Sequence, residues 1–263
     1  MCLILVAWHV HPDYPLVLAA NRDELYARAA APAAWWPEPR MLAGRALAAG
    51  GAWLGVTPDG HFAALTNYRG TVAPRPDAPS RGTLVPQTLS VPMPASERLQ
   101  QLQRTSGSYN GFNLLFADAE NLAVYESVPA RGRLLGPGVY GLSNHLLDTP
   151  WPKVVGAKAA LAAALTHLPD QQALLQLLRD DVQADDTQLP RTGLSIEWER
   201  LLSSAFIRAP GYGTRCSTIL LIDRDGHAHF SAWTWNETGE RTGLVEYQFD
   251  SAAAGAQSQA GLS

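Results

Sequence analysis

Cys2 is the residue of this sequence best placed to do chemistry, because it directly follows Met1. If Met1 is removed, Cys2 carries a thiol and a free α-amine on the same carbon. An α-amine with an ordinary pKa of about 8 is partly neutral near pH 7 and can take up the thiol proton without a histidine. The position of Cys2 therefore predicts a nucleophile that supplies its own base.

A nucleophile of this kind needs charges that hold its amine and thiol, and hydrogen-bond donors for the oxyanion of a tetrahedral intermediate. Polar residues that follow predicted strands are the candidates: Arg22, Asp23, Asn67, Asn144 and Arg215. Each also has an ordinary structural interpretation. Asparagine is common in turns, an Arg-Asp pair at a strand end is usually solvated, and a terminal cysteine commonly serves as a small apolar residue.

The N-terminal segment that would hold Cys2 is apolar and rich in β-branched residues. Residues 2–10 predict a buried strand, and residues 16–20 predict a second strand that ends in the charged cluster 21–24. The pair Asp59-Gly60 between two further strand-like runs is typical of a hairpin turn. A segment rich in Trp and Pro over residues 35–39 is expected to be a loop.

Helices are predicted in the middle of the chain and strands towards both ends. The predicted helices cover residues 83–89, 96–105 (capped by Ser96), 152–167 and 170–181. The later predicted strands cover residues 113–117, 122–126, 139–142, 214–222, 227–235 and 244–249. This grouping favours an α+β fold with mainly antiparallel sheets. We expect a single domain over residues 1–250 and a disordered tail over residues 251–263, which contain mostly Ala, Gly, Ser and Gln.

Composition excludes several classes of function. The 20 basic and 24 acidic side chains give a formal charge of −4, which argues against a nucleic-acid partner. The cysteines Cys2 and Cys216 are too few for a disulfide framework or a cysteine zinc site, and Cys216 is expected in the core of a late strand. Without an apolar run of about 18 residues or a secretory signal, a cytoplasmic protein with no membrane span is expected. The scarcity of Lys beside abundant Arg and Ala suggests a bacterial coding sequence, and the oligomeric state stays open.

Two patterns that could bind a cofactor or a metal are weak. Residues 136–141 match G-x-G-x-x-G, but Pro137 and the following residues do not open the helix that a dinucleotide site requires. His9 with His11, and His227 with His229, stand two apart and would share a strand face. Since neither pair has a third ligand at useful spacing, no metal site is predicted.

Six motifs in order resemble the NRDE family, also called the Transport and Golgi organization protein 2 family. They are Met1-Cys2-Leu3, Asn21-Arg22-Asp23-Glu24, Gly50-Gly51-x-Trp53-x-Gly55, Leu65-Thr66-Asn67-Tyr68-Arg69, Gly141-Leu142-Ser143-Asn144 and Tyr212-Gly213-Thr214-Arg215. The resemblance implies an N-terminal nucleophile hydrolase-like fold, a four-layer αββα sandwich of two mainly antiparallel sheets.

That fold is similar to the choloylglycine hydrolase and penicillin V acylase group, in which a cysteine exposed by Met removal attacks a non-peptide amide. The resemblance implies a catalytic set in chain order: Cys2, Arg22, Asp23, Asn67, Asn144 and Arg215. Arg and Asp stand three apart in those enzymes, whereas Arg22 and Asp23 are adjacent and would face opposite sides of a strand. One of the two could be structural, or Glu24 could replace Asp23.

Three functions remain open on the sequence. The leading expectation is an amidohydrolase without a cofactor, in which Cys2 attacks a linear amide or related acyl bond of a small molecule. The alternative is a protein that binds haem or another hydrophobic ligand in the same cleft. Its candidate ligand-binding residues are His9, Trp53, Tyr68 and Arg69, with His11 as a further axial ligand. A scaffold with a vestigial nucleophile is the third.

Overall fold

A computed structural model describes residues 2–70 and 73–251 of the chain. Two seven-stranded sheets, antiparallel throughout, make up most of it. The first sheet contains β1 (Cys2–Trp8), β2 (Leu16–Leu25), β10 (Gly138–Leu142), β11 (Arg208–Ala209), β12 (Tyr212–Ile222), β13 (His227–Trp235) and β14 (Arg241–Asp250). The second contains β3 (Ala30–Trp36), β4 (Met41–Ala46), β5 (Leu54–Val56), β6 (Phe62–Asn67), β7 (Phe112–Ala117), β8 (Leu122–Glu126) and β9 (Arg131–Leu135).

Strand order places the N-terminal strand inside the first sheet. That sheet runs β10-β1-β2-β12-β13-β14, with β11 paired to β12, whereas the second sheet follows chain order from β3 to β9. The helices are α1 (Leu84–Leu89), α2 (Ala95–Thr105), α3 (Pro152–Ala164), α4 (Gln172–Leu178) and α5 (Ile196–Leu201). Among the described residues, no helix is long and apolar enough to cross a membrane.

Alternation along β1 shows how the layers stack. Ile4 and Val6 belong to the apolar cluster between the two sheets, whereas Leu3 and Leu5 pack with residues of α3 and α4 on the outer face. A third cluster joins the outer face of the second sheet to α1 and α2. The strand is apolar throughout because both its faces are covered. The predicted four-layer sandwich of two antiparallel sheets is therefore confirmed.

The charged cluster after Ala20 is part of β2, not its end as predicted. The backbone of Arg22 pairs with Cys2 on one side and Cys216 on the other, and Glu24 pairs with Gly213. Two flanking strands thus keep this polar segment extended. The candidate site residues Arg22 and Asp23 consequently lie on a central strand of the first sheet.

Two other expectations about local structure were wrong, and some elements were not predicted at all. The Trp- and Pro-rich segment forms the hairpin β3–β4, in which Trp36 Nε1 donates to the Ala43 carbonyl (3.0 Å). The residue that caps α2 is Pro94 rather than Ser96. The strand β9 and the helix α5 had no predicted counterpart, because β9 contains two arginines and α5 is only six residues long.

The end of the described chain overlaps the predicted tail by one residue. Ser251 is buried, and its backbone N–H donates to the carbonyl of Gly226 (2.7 Å). The rest of the predicted tail, residues 252–263, lies outside the described residues. Asp250, the last residue of β14, pairs with His227.

Candidate active site

Cys2 begins β1 and its side chain faces the space between the two sheets. The strand register pairs it with Arg22, and both side chains line a cavity of about 490 Å³. Cys2 is only 9% exposed, and burial raises the pKa of its thiol. The thiol is therefore neutral near pH 7 and needs a base before it can attack.

The segment after β10 fixes the backbone of Cys2 at both ends of the residue. The Cys2 N–H donates to Oδ1 of Asn144 (3.2 Å), and Ser143 Oγ donates to the Cys2 carbonyl (3.1 Å). Asn144 is fully buried, and its Nδ2 donates to the carbonyl of Asn67 (2.8 Å). Asn144 thus positions the nitrogen of Cys2, whereas the sequence predicted that it would donate to the oxyanion.

Asn67 ends β6 in the second sheet and lines the cavity. Its carbonyl holds Asn144, while its side-chain amide makes no hydrogen bond to any other residue in the described ranges. This amide is therefore free to donate to a group inside the cavity. Of the two predicted oxyanion donors, Asn67 is the one whose side chain fits the role.

Arg22 and Asp23 face opposite sides of β2, as their adjacency predicted. Arg22 shares its face with Glu24, with the guanidinium 3.6 Å from the Glu24 carboxylate. Asp23 accepts a hydrogen bond from Thr214 Oγ1 (2.7 Å) and is almost completely buried. Arg22 and Glu24 thus form the charged pair on the cavity side, although Asp23 also contributes to the cavity lining.

A buried lysine, which the sequence analysis missed, lies behind Cys2. Lys153 is in the first turn of α3, and burial lowers its pKa to about 8, against an opposing effect of Asp23. Burial also raises the pKa of Asp23, while the positive charge of Lys153 lowers it. The signal was available: Lys153 lies on the same helical stripe as Ala157, Leu161 and Ala164, all of which are buried.

Arg69 and Tyr68 belong to a buried cluster beside the cavity. The Arg69 guanidinium lies 3.3 Å from Glu199 of α5 and 4.3 Å from the ring centre of Trp151. The Tyr68 hydroxyl lies 3.0 Å from Nε2 of His145. Neither Arg69 nor Tyr68 is among the residues that line the cavity, so these two predicted ligand-binding residues lie outside it.

Arg215 is the extra residue of a β-bulge in β12. The register against β2 shifts between Thr214 and Cys216, and a bulge of this kind turns a side chain away from the strand alternation. Its Nη1 donates to the carbonyls of Leu25 and Tyr26 (3.0 Å each) and to that of Arg28. Arg215 thus lines the cavity and also fixes the turn after β2.

The cavity wall is strongly cationic on one side and apolar on the other. Six arginines line it: Arg22, Arg28, Arg45, Arg75, Arg81 and Arg215. Apolar residues of both sheets complete it: Leu54, Leu65, Phe230, Ala232 and Val245. Trp53 and Cys216 also line it, so Cys216 is not only the core residue that the sequence predicted.

The histidines of the haem alternative lie away from this cavity. His9 is exposed just beyond β1, whose six steps of about 3.3 Å place its far end roughly 20 Å from Cys2. His11 Nδ1 accepts the N–H groups of Asp13 and Tyr14 within a turn. Of the described residues that line the cavity, none is a histidine. The structure thus places His9 and His11 outside the cavity that Cys2 lines.

Comparison with known proteins assigns the chain to a family. The family model described as Transport and Golgi organisation 2 matches residues 1–237. The chain belongs to the Transport and Golgi organisation 2 family. Its relatives include the Transport and Golgi organization protein 2 homologs of Bos taurus, at 38% identity, and of Homo sapiens, at 35% identity; in each case the match covers 88% of this chain and 92% of the relative. The Drosophila melanogaster Transport and Golgi organization protein 2 is 28% identical, over 90% of this chain and 96% of its own length.

Two solved structures resemble this member of the Transport and Golgi organisation 2 family more weakly. A Caenorhabditis elegans N-acylethanolamine-hydrolyzing acid amidase ortholog has a TM-score of 0.45 and 16% identity, over 84% of this chain and 92% of its own. The C2A mutant of the conjugated bile acid hydrolase from Clostridium perfringens has a TM-score of 0.43 and 11% identity, over 95% of this chain and 98% of its own. The sequence matches alone therefore establish the family, and they confirm the resemblance of the six motifs.

Proposed function

We propose that Cys2, after removal of Met1, is the nucleophile of an amidohydrolase that cleaves a linear non-peptide amide or a related acyl bond. One observation carries the proposal: Asn144 accepts a hydrogen bond from the Cys2 nitrogen (3.2 Å) while the Cys2 side chain lines a cavity of about 490 Å³. Once Met1 is removed, the same nitrogen is the α-amine. The base and the nucleophilic thiol then belong to the same residue, and the hydrogen bond to Asn144 fixes its position.

The reaction proceeds in two acyl transfers. Sγ of Cys2 bonds to the acyl carbon as the α-amine takes the thiol proton, which gives a tetrahedral oxyanion. The α-ammonium then protonates the leaving nitrogen, the carbon–nitrogen bond breaks, and a thioester remains. Water attacks the thioester and gives a proton to the α-amine. That proton returns to sulfur as the carboxylic acid leaves.

The polar groups around Cys2 each serve one step. The Asn67 amide donates to the oxyanion, and Asn144 keeps the α-amine oriented. Arg22 lies on the same sheet face as Cys2 and favours developing negative charge there. Asp23 and Lys153 are both buried, and the electrostatic attraction between them supports the amine side of Cys2.

Chemical labelling tests the proposal. Intact-mass measurement determines whether Met1 is lost, and iodoacetamide at neutral pH followed by peptide mapping locates the reactive thiol. A Cys216→Ser background removes the competing thiol of the same cavity. We expect loss of Met1, labelling of Cys2, and hydrolysis of a fluorogenic N-octanoyl aminocoumarin amide that Cys2→Ala abolishes.

Retained Met1 together with an unreactive Cys2 would remove the mechanism. Hydrolysis by Cys2→Ala equal to that of the wild type would assign the activity to another group. Asn67→Ala gives a finer test, because it removes only the cavity-facing amide. We expect a fall in kcat of about 10²-fold or more, the effect of losing one oxyanion donor.

A further inference from the structure

The charge of the cavity is opposite to that of the chain. Six arginines and two carboxylates, Asp23 and Glu24, line it, although the whole chain has a formal charge of −4. The arginines Arg75, Arg81 and Arg215 donate hydrogen bonds to backbone carbonyls, which are neutral. Such partners hold the guanidinium groups in place without cancelling their charge. The described wall therefore keeps an excess of positive charge.

Arg81 is built into this wall by a close approach of two backbone segments. A Cβ atom on Gly51 would lie 2.5 Å from the backbone of Gly82, so only glycine fits there. The N–H of Ala52 donates to the Gly82 carbonyl (3.0 Å), and Nη1 of Arg81 donates to the Gly111 carbonyl (2.9 Å). The backbone and the side chain of Arg81 are thus both fixed.

Arg28 and Arg81 both line the cavity, and Glu24 is the carboxylate whose charge acts on both. Nη1 of Arg28 donates to Oε2 of Glu24 (2.8 Å), but the same carboxylate also pairs with Arg22 (3.6 Å). Burial lowers the pKa of Arg81, and repulsion from Arg28 lowers it further. Arg81 and Cys2 both line this cavity. An anion between Arg28 and Arg81 would relieve this repulsion.

We propose that Arg28 and Arg81 bind an anionic group, a carboxylate or a phosphate, on the substrate of the Cys2 site. Guanidinium groups suit both anions because their N–H donors form paired hydrogen bonds with such oxygens. The apolar wall of Leu54, Phe230 and Val245 takes the acyl chain. The substrate class is therefore an amphipathic acyl compound whose negative group and scissile bond occupy the same cavity. The cleavage of this substrate rests on the proposed function, whereas the binding of its anionic group does not.

Binding without turnover tests the inference. The Cys2→Ala protein is titrated calorimetrically with four probes of equal chain length: octanoate, octyl phosphate, 1-octanol and octyltrimethylammonium. We expect the two anions to bind at least tenfold more tightly than octanol, and the cation to bind most weakly. Whichever of octanoate and octyl phosphate binds more tightly identifies the anionic group of the substrate as a carboxylate or a phosphate. Raising NaCl from 0.05 to 0.5 M is expected to weaken the anions and leave octanol unchanged.

Variants locate the site. Arg81→Gln and Arg28→Gln are each expected to weaken the tighter anion about tenfold or more, and Arg81→Lys is expected to recover part of the loss. Arg104→Gln, on the exposed face of α2, is the matched control and is expected to change nothing. Circular dichroism and thermal melting check that each variant is folded. Equal binding of octanol and the anions, or full anion binding by both glutamine variants, would overturn the inference.

The two proposals fail separately. Selective anion binding by Cys2→Ala, combined with an unreactive Cys2 in the otherwise unchanged protein, leaves the anion site standing and removes the hydrolase. Conversely, Cys2-dependent hydrolysis of the neutral N-octanoyl amide, combined with no preference for anions, leaves the hydrolase standing and removes the anion site. The surface control Arg104→Gln then leaves hydrolysis of the neutral amide unchanged.

Discussion

The backbone nitrogen of Cys2 donates to Oδ1 of Asn144, 142 positions away in the sequence (3.2 Å). Through Nδ2 the same amide holds the carbonyl of Asn67 in the second sheet (2.8 Å). One buried side chain therefore connects the first residue of the inner strand β1 to the end of β6. The geometry of Cys2 depends on the packing of one sheet against the other, and not on its own strand alone.

Replacement of Asn144 by alanine is expected to lower the stability of the fold. Asn144 is fully buried, and the change leaves the Cys2 N–H and the Asn67 carbonyl without their partner. Unsatisfied buried groups of this kind cost about 1–3 kcal/mol each. We expect a fall of about 2–4 kcal/mol in the free energy of unfolding, measured by guanidinium denaturation.

Asn67→Ala is the matched control for Asn144→Ala. Its backbone carbonyl, not its side chain, makes the bond to Asn144, so the stability should change by less than about 1 kcal/mol. Activity, by contrast, should fall in both variants. Equal stability of the two variants would mean that the Asn144 bridge contributes nothing to the fold.

Lys153→Met is expected to destabilise the protein more at pH 7 than at pH 4.5. Burial raises the pKa of Asp23, and Lys153 opposes that rise, so the variant has an Asp23 with a still higher pKa. A carboxyl group whose pKa is raised by folding contributes stability below its unfolded pKa and loses it as the pH rises through the folded value. Lys153 itself, with a pKa of about 8, stays protonated over this window. Thermal melts at the two pH values measure the difference.

Lys158 provides the control, because Lys153 and Lys158 are the only two lysines in the chain. It lies on the same helix, is partly exposed, and pairs with Asp148 (2.7 Å). Since a pair that is open to solvent contributes little, Lys158→Met should change the melting temperature only slightly, and by similar amounts at both pH values. A similar pH trend in both lysine variants would exclude a specific effect on Asp23.

Glu199→Gln is expected to cost about 3 kcal/mol of stability, because it removes one partner of a buried ion pair. Glu199 is 3% exposed and lies 3.3 Å from Arg69, whose guanidinium has little access to solvent. Glu197→Gln, two residues earlier and exposed, is the control and should be neutral. If urea denaturation gives the same midpoint for both variants, the Arg69 pair does not stabilise the loop after β6.

Local patterns predicted most of the elements but not the neighbours of the site. The apolar run at β1 and the hairpin β5–β6 were predicted because strand periodicity and the Asp59-Gly60 turn are local signals. The full length of β2 was not predicted, because its charged end is kept extended by pairing with Cys2 and Gly213, which are far away in the sequence. Glu199 was missed for the same reason, whereas the buried stripe of α3 did carry a local signal for Lys153. A buried charge is recognised by its partners, and these come from other layers.

Gly51→Ala tests how the fold positions Arg81. A Cβ on Gly51 would meet the Gly82 backbone at 2.5 Å, and backbone atoms cannot move aside as a flexible side chain can. The segment between β4 and β5 and the Arg81 turn must separate, so we expect a loss of about 1–3 kcal/mol in the free energy of unfolding and weaker binding of octanoate or octyl phosphate. Gly107→Ala, where a Cβ would meet nothing within 4 Å, is the control and should affect neither. Denaturation and calorimetry on the same preparations separate the two effects. A Gly51→Ala protein that binds the anions like the wild type would show that the approach of Gly51 to Gly82 stabilises the fold without positioning Arg81.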